Sequence, residues 1–301
     1  MAYVELTLWP ACVRTHALPD QIAAAAQAGF SSLAINPATY HAAVSSGLSP
    51  QDILRIADYN GVRFSWVDAV SGWLPIRYPA DSPELKGFLD YDLKLAFEIA
   101  DILGAEAILA IGCFAEGALP LSQQIDCFGE LCREAKVRNL RVGLEFIPTW
   151  GIGNLKSAWR IASAVDAQNG GYVVDTWHFF RSNSDPNLLQ QIPDDRIFAV
   201  QVADAASDCK VRSLLDDSLN FRKLPGDGAL PLARLLDTIT TKGTKDFGPE
   251  VFSIELDQVS AREAAILCAN SMRAILRRDD LPNHASAMGT DDVSDQTRRQ
   301  T

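Results

Sequence analysis

Four segments of the chain set an oxygen-bearing side chain inside an otherwise apolar run: Gly143-Leu144-Glu145-Phe146, Val173-Val174-Asp175-Thr176-Trp177-His178, Val200-Gln201-Val202 and Ser253-Ile254-Glu255-Leu256. Runs of this kind fold as strands buried on both faces. A carboxylate desolvated in such a place without a partner costs on the order of several kcal/mol, and carboxylates gathered at one rim repel one another. None of the four segments contains a Lys or Arg that would neutralise them. A divalent cation meets the requirement in one step. Glu145, Asp175, Gln201 and Glu255 all offer oxygen, a hard donor set that suits Mg2+ or Mn2+ better than Zn2+, with Co2+ and Zn2+ as secondary candidates. His178 follows Asp175 by three residues and falls near the same rim. Asp204 and Asp257 lie just past their strands and read as loop residues or as partners of the ligands.

The chemistry open to such a site starts from a hydroxyketone. A metal holding its carbonyl and neighbouring hydroxyl oxygens acidifies the adjacent C–H bond and stabilises the enediolate left when the proton departs. A carboxylate takes that proton, and the same group or a second one returns it. Return to the opposite face gives epimerisation, return to the neighbouring carbon gives isomerisation, and loss of a β-hydroxyl gives dehydration. The first step is common to all three.

Side chains can meet in this way only if successive strands end on one rim. Short apolar runs alternate with helical stretches along the whole chain, with strands expected at Tyr3–Trp9, Ser31–Asn36, Arg63–Asp68, Ala105–Ile111, Arg141–Phe146, Tyr172–His178, Ile197–Ala203 and Val251–Leu256. Helix starts are marked by Ser49-Pro50-Gln51-Asp52, Ser82-Pro83-Glu84, Asp185-Pro186 and the capping box Ser260-Ala261-Arg262-Glu263. Helix stops are marked by Gly29, Asn60-Gly61, Gly104 and Asn169-Gly170. Eight βα units predict a closed (β/α)8 TIM barrel, with active groups at the C-terminal strand ends. An open doubly wound sheet would want a glycine-rich turn after the first strand, where the chain reads Trp9-Pro10-Ala11-Cys12. The barrel is expected to occupy residues 1–281 as a single domain. Residues 282–301, rich in Ser, Asp, Thr and Arg, read as a disordered polar tail.

The 301 residues are 48% hydrophobic and 22% charged, a globular balance, with 27 basic against 38 acidic side chains for a net charge of −11. That charge argues against nucleic acid and anionic membranes as partners. The start, MAYVELTLWP, lacks the basic and apolar regions of a signal peptide, and no apolar run reaches the roughly twenty residues that span a bilayer. The six cysteines (Cys12, Cys113, Cys127, Cys132, Cys209, Cys268) are dispersed and form no C-x-x-C pair. A soluble cytoplasmic protein with reduced thiols is expected. A homo-oligomer is compatible with the sequence.

The order of the segments Gly143-Leu144-Glu145-Phe146-Ile147-Pro148, Val174-Asp175-Thr176-Trp177-His178, Arg196 to Asp204 and Arg222-Lys223-Leu224-Pro225-Gly226-Asp227-Gly228 resembles the xylose-isomerase-like barrel superfamily, the sugar phosphate isomerase/epimerase group with its inosose dehydratases and ketose 3-epimerases. The resemblance implies one divalent metal on Glu145, Asp175, Gln201 and Glu255. Gln201 stands where the family commonly has histidine. It further implies acid–base work by Glu145 and Glu255, and substrate contacts from His178 and Arg222. Trp177, with Trp9, Trp66 and Trp150, could wall a ring-shaped substrate or simply pack the barrel. The function these features suggest is isomerisation or epimerisation of a sugar or polyol ketone. The alternatives are a lyase, either an inosose-type dehydratase or a keto-glycoside cleaving subunit, and a catalytically silent sugar- or partner-binding barrel.

Overall fold

Strand β1 (Glu5–Leu8) pairs in parallel with β2 (Ser32–Ile35) on one side and with the last strand, β8 (Asp246–Pro249), on the other, so the sheet has no free edge. Between them β3 (Arg63–Val70), β4 (Ala107–Ile111), β5 (Arg141–Glu145), β6 (Gly170–Asp175) and β7 (Ile197–Val202) follow in sequence order, all parallel. The computed structural model describes residues 5–78, 85–208, 211 and 213–276. The expected tail, 282–301, and the helix start at Ser82-Pro83-Glu84 lie outside the described residues. Among those described, the chain is a closed (β/α)8 barrel, and no helix is long and apolar enough to cross a membrane.

Helix boundaries follow the local chemistry. Ser49 and Asp52 form a reciprocal capping box, and Asp185 caps a helix that begins with Pro186. Gly29, Gly61 and Gly104 end their helices in the left-handed region, at φ 81°, 65° and 67°. The helix before β6 stops earlier than expected, at Asp166 rather than Asn169-Gly170.

Two strands differ from the sequence expectation. The sixth ends at Asp175, because the Asp175 side chain accepts a hydrogen bond from His178 N at 2.7 Å and starts a short helix, Thr176–Arg181. The eighth is Asp246–Pro249, not Val251–Leu256. Local propensity favours the β-branched run, but the pairing partners decide. Leu6 and Val200 both register with Phe247, and Gln201 registers with Gly248. Glycine is required at that seam, since a Cβ on Gly248 would lie 2.0 Å from Thr7 O and 2.7 Å from Trp9.

The period of two along each strand then sorts the side chains. Trp9, Trp66, Leu109, Val173 and Ala199 share a cluster separate from the larger apolar layer between strands and helices. Gly143 makes room for Trp66 there, as a Cβ would sit 3.0 Å from its ring. Below, Trp66 Nε1 donates to Asp246 Oδ2 at 2.8 Å and Thr7 donates to Asp246 Oδ1 at 2.6 Å. Two residues further along their strands from Trp66, Gly143, Val173, Ala199 and Gly248 stand Asp68, Glu145, Asp175, Gln201 and Glu250.

Gly248→Ala should therefore open the β8–β1 seam and cost roughly 1–3 kcal/mol. Gly87→Ala, where an added Cβ meets nothing within 4 Å, should leave stability unchanged or slightly raised. Thermal unfolding of the two variants checks this, and equal midpoints would contradict the seam argument.

Candidate active site

At the strand ends, Glu145, Asp175, Gln201 and Glu250 converge, none more than 5% exposed. Ligand atoms of Glu145, Asp175 and His178 lie within 4.8 Å of one another. Asp175 closes β6, Glu145 closes β5, and Thr176 staples the neighbouring strand end by donating to Ala203 O at 2.7 Å and accepting from Ala203 N at 2.9 Å.

The cation of this cluster is Arg222. Its Nη1 donates to Asp175 Oδ2 at 2.7 Å and stands 3.5 Å from Glu250 Oε2, while Nε and Nη2 donate to Ser218 O and Oγ at 2.8 and 3.1 Å. The guanidinium lies over the rings of Trp177 and Phe252, 5.2 and 4.9 Å from their centroids. The loop carrying it is fixed by Asp204, whose carboxylate accepts from Gly226 N and Leu230 N at 3.1 and 2.9 Å. Asp257 instead pairs with Arg14 at 2.5 Å.

One guanidinium faces several carboxyls, and the proton affinities divide accordingly. Burial pushes Asp175 up, but Arg222, His178 and the hydrogen bonds it receives hold it below the ordinary value. Burial raises Glu145 well above its ordinary value, and Asp175 and Asp68 add to the rise. Glu250 is raised in the same sense by burial and then by Glu145. Burial alone lifts Asp68 to about 7. His178, pushed down to about 3 by burial, is neutral. A guanidinium can only donate, so its 3.3 Å contact with His178 Nε2 makes that nitrogen an acceptor and puts the ring proton on Nδ1.

Of the expected residues, Glu145, Asp175, Gln201, His178 and Arg222 are thus adjacent. Trp177 is fully buried behind Arg222, edge-on to His178. Glu255 is not among them. With β8 ending at Pro249, it falls exposed at the head of a short 3-10 turn, Leu256–Gln258, and lines a cavity of about 230 Å³ with Asn220, Lys223 and Ile254 that meets the cluster only at Arg222. The expected place of Glu255 is taken by Glu250, which the sequence reading missed because Gly248-Pro249 does not look like a strand. Asp68 was missed as well. Its signal was its place near the end of an apolar strand, the same signal that marked Glu145.

The donor set fits a divalent cation. Gln201 is fully buried, and among the described residues neither its Oε1 nor its Nε2 has a hydrogen-bond partner, although buried amides are almost always paired. Three carboxyl oxygens and an amide oxygen on successive strand ends are hard donors of the kind Mg2+ and Mn2+ accept.

Residues 22–270 match the family described as xylose isomerase-like TIM barrel. The chain belongs to that family. Among its relatives is a 3-dehydroshikimate dehydratase of Pseudomonas aeruginosa, 26% identical over 264 residues, which cover 86% of this chain and 39% of the relative. The chain therefore spans about two fifths of the length of that relative. An inosose isomerase of Halalkalibacterium halodurans is 29% identical over 180 residues, 58% of this chain and 62% of the relative. The crystal structure of the IolI protein with a bound zinc atom superposes with a TM-score of 0.78 at 19% identity, covering 91% of this chain and 98% of that one, a likeness of fold.

The raised carboxyls set the direction of the pH dependence. A carboxyl that binds its proton more tightly folded than unfolded stabilises the fold at low pH and loses that contribution as pH rises through the folded value. The metal-free protein should thus lose thermal stability as pH climbs from about 4, the ordinary carboxyl value, to beyond about 7, where Asp68 titrates. Glu250→Gln should flatten this slope. A slope equal to that of the wild type would contradict the assignment of Glu250 to the cluster.

Proposed function

We propose that this barrel is a divalent-cation-dependent enzyme that removes a proton from the carbon beside the carbonyl of a polyol or cyclic hydroxyketone, and that its reaction runs on to dehydration. The observation that carries the reading is the convergence of Glu145, Asp175, Gln201 and Glu250, with the Gln201 amide lacking any partner among the described residues. These four would hold the cation. Bound there, Mg2+ or Mn2+ would supply Lewis acidity to the carbonyl of the ketone.

The chain's own residues do the rest. Glu145, buried at the end of β5 beside His178, is placed to take the proton from carbon. Glu250 takes the second carboxylate role expected of Glu255. Arg222, locked by Ser218 and by the Trp177 and Phe252 faces, keeps Asp175 ionised and aimed. Neutral His178 stands 3.4 Å from Glu145 Oε1 and offers a ring nitrogen to a substrate oxygen or to the Glu145 proton. The near-complete burial of these groups keeps water from competing for the carbanionic carbon.

Dehydration is favoured over the other outcomes because the dehydratase relative matches over 86% of this chain. Epimerisation or isomerisation is the second reading, supported by the inosose isomerase match over 58%. Both begin with the same proton transfer.

Incubation of the Mn2+-loaded protein in D2O with 3-dehydroshikimate, inososes and ketohexoses tests the reading. Deuterium should enter one of these ketones next to its carbonyl, stop on chelation and resume with added Mn2+. Glu145→Gln should slow the exchange at least about a hundredfold. Product analysis then separates water loss from isomerisation. Exchange that survives exhaustive chelation, or no exchange with any ketone, would overturn the proposal.

A further inference from the structure

A fourth carboxyl reaches the rim from β3, on the strand that faces β7 across the barrel. The backbone of Asp68 is pinned. Its main-chain oxygen accepts from Asn36 Nδ2 at 2.8 Å, and Asn36 in turn accepts from Ala38 N at 2.8 Å. Its carboxyl, though only 7% exposed with the residue, has no hydrogen-bond or ion-pair partner among the described residues. A carboxyl with no protein partner, held on a rigid strand and opening onto a cleft, is placed to meet a ligand there.

The surroundings indicate which ligand. Among the described residues, Asp68 is the one carboxylate lining a cleft of about 840 Å³ that runs over β1, β2 and β3, walled by Pro10, Ala42, Leu85, Phe88 and Phe252. None of Glu145, Asp175, His178, Gln201 or Glu250 lines that cleft. Yet Asp68 is near enough to Glu145 and Glu250 to raise the proton affinity of both. It is therefore the point where the open, largely apolar cleft meets the sealed cluster. A molecule that reaches the cluster from the cleft passes Asp68, with its carbon framework against the apolar wall.

We propose that Asp68 is the catalytic acid of the site: it protonates the hydroxyl that departs from a cyclic β-hydroxyketone lying between the cleft and the cluster. The inference rests on the dehydration reading above. In the step, Glu145 takes the proton from the carbon beside the carbonyl, and the electron pair of that C–H bond becomes the new carbon–carbon double bond. The bond from the β-carbon to its hydroxyl breaks with its electrons on oxygen, and that oxygen receives the Asp68 proton and leaves as water. Asp68 ends as carboxylate and Glu145 as acid, and exchange with solvent restores both. The division of labour follows from position, since the acid faces the cleft from β3 while the base stands in the cluster at the end of β5, with β4 between them.

The test compares Asp68→Asn, Asp68→Glu and wild type, each loaded with Mn2+, on whichever ketone the wild type labels in D2O. Asp68→Asn should still incorporate deuterium beside the carbonyl within a few-fold of wild type, while loss of water falls about a hundredfold or more. Asp68→Glu, which keeps the carboxyl, should recover part of that loss. An analogue carrying fluoride in place of the departing hydroxyl needs no proton to leave, and Asp68→Asn should eliminate it at close to the wild-type rate. Water loss near the wild-type rate in Asp68→Asn would overturn the role of Asp68 alone. So would equal losses of exchange, water elimination and fluoride elimination. A wild type that labels no ketone would overturn the dehydration reading and this role together.

Discussion

Everything at the rim follows from an imbalance of charge in a place closed to water. Glu145, Asp175 and Glu250 meet around a single guanidinium, that of Arg222, with Asp68 near Glu145 and Glu250, and none of the four is more than 7% exposed. Two unit charges about 4 Å apart interact by roughly 4 kcal/mol at the effective dielectric of a protein. One cation cannot offset that several times over. The cluster has two ways out, to hold protons or to hold a second cation, and both are useful to an enzyme. Burial and mutual repulsion raise the proton affinities of Glu145 and Glu250, and a divalent ion would take the place of those protons.

The barrel supplies this imbalance at low cost elsewhere. Its interior stacks in layers, with Asp246 at the base taking hydrogen bonds from Thr7 and Trp66, the Trp9 and Trp66 rings above it at 5.7 Å between centroids, and the carboxyls at the top. Gly143 and Gly248 are small because two tryptophans fill the middle layer. The same strands that pack this column therefore aim Glu145 and Glu250 two residues later. Arg222 is held by a different device, a loop tied to Asp204 and a two-ring sandwich. That separation lets the cation be positioned independently of the strand registers.

Much of this was legible in the sequence. The alternation of apolar runs with capped helices specified the barrel, and Glu145, Asp175 and Gln201 stood out because polar atoms at the ends of buried strands are costly. His178 and Arg222 came from the motifs of a family to which the chain does belong. The eighth strand was not legible. Val251-Phe252-Ser253-Ile254 has the better local propensity, yet Asp246-Phe247-Gly248-Pro249 wins because it can sit between β1 and β7 without a side chain striking Thr7. Glu250 was hidden by that error of register. Asp68 was hidden for a different reason, since one carboxylate in a strand resembles many surface acids until the cleft beside it is known.

The central claim is that the four oxygen donors on β5, β6, β7 and the end of β8 form one cation site. Crystals grown with Mn2+ and measured at a wavelength where manganese scatters anomalously test it most directly. The account predicts a single strong anomalous peak enclosed by Glu145, Asp175, Gln201 and Glu250. A peak at Glu255, or none within reach of the cluster at saturating Mn2+, would contradict it.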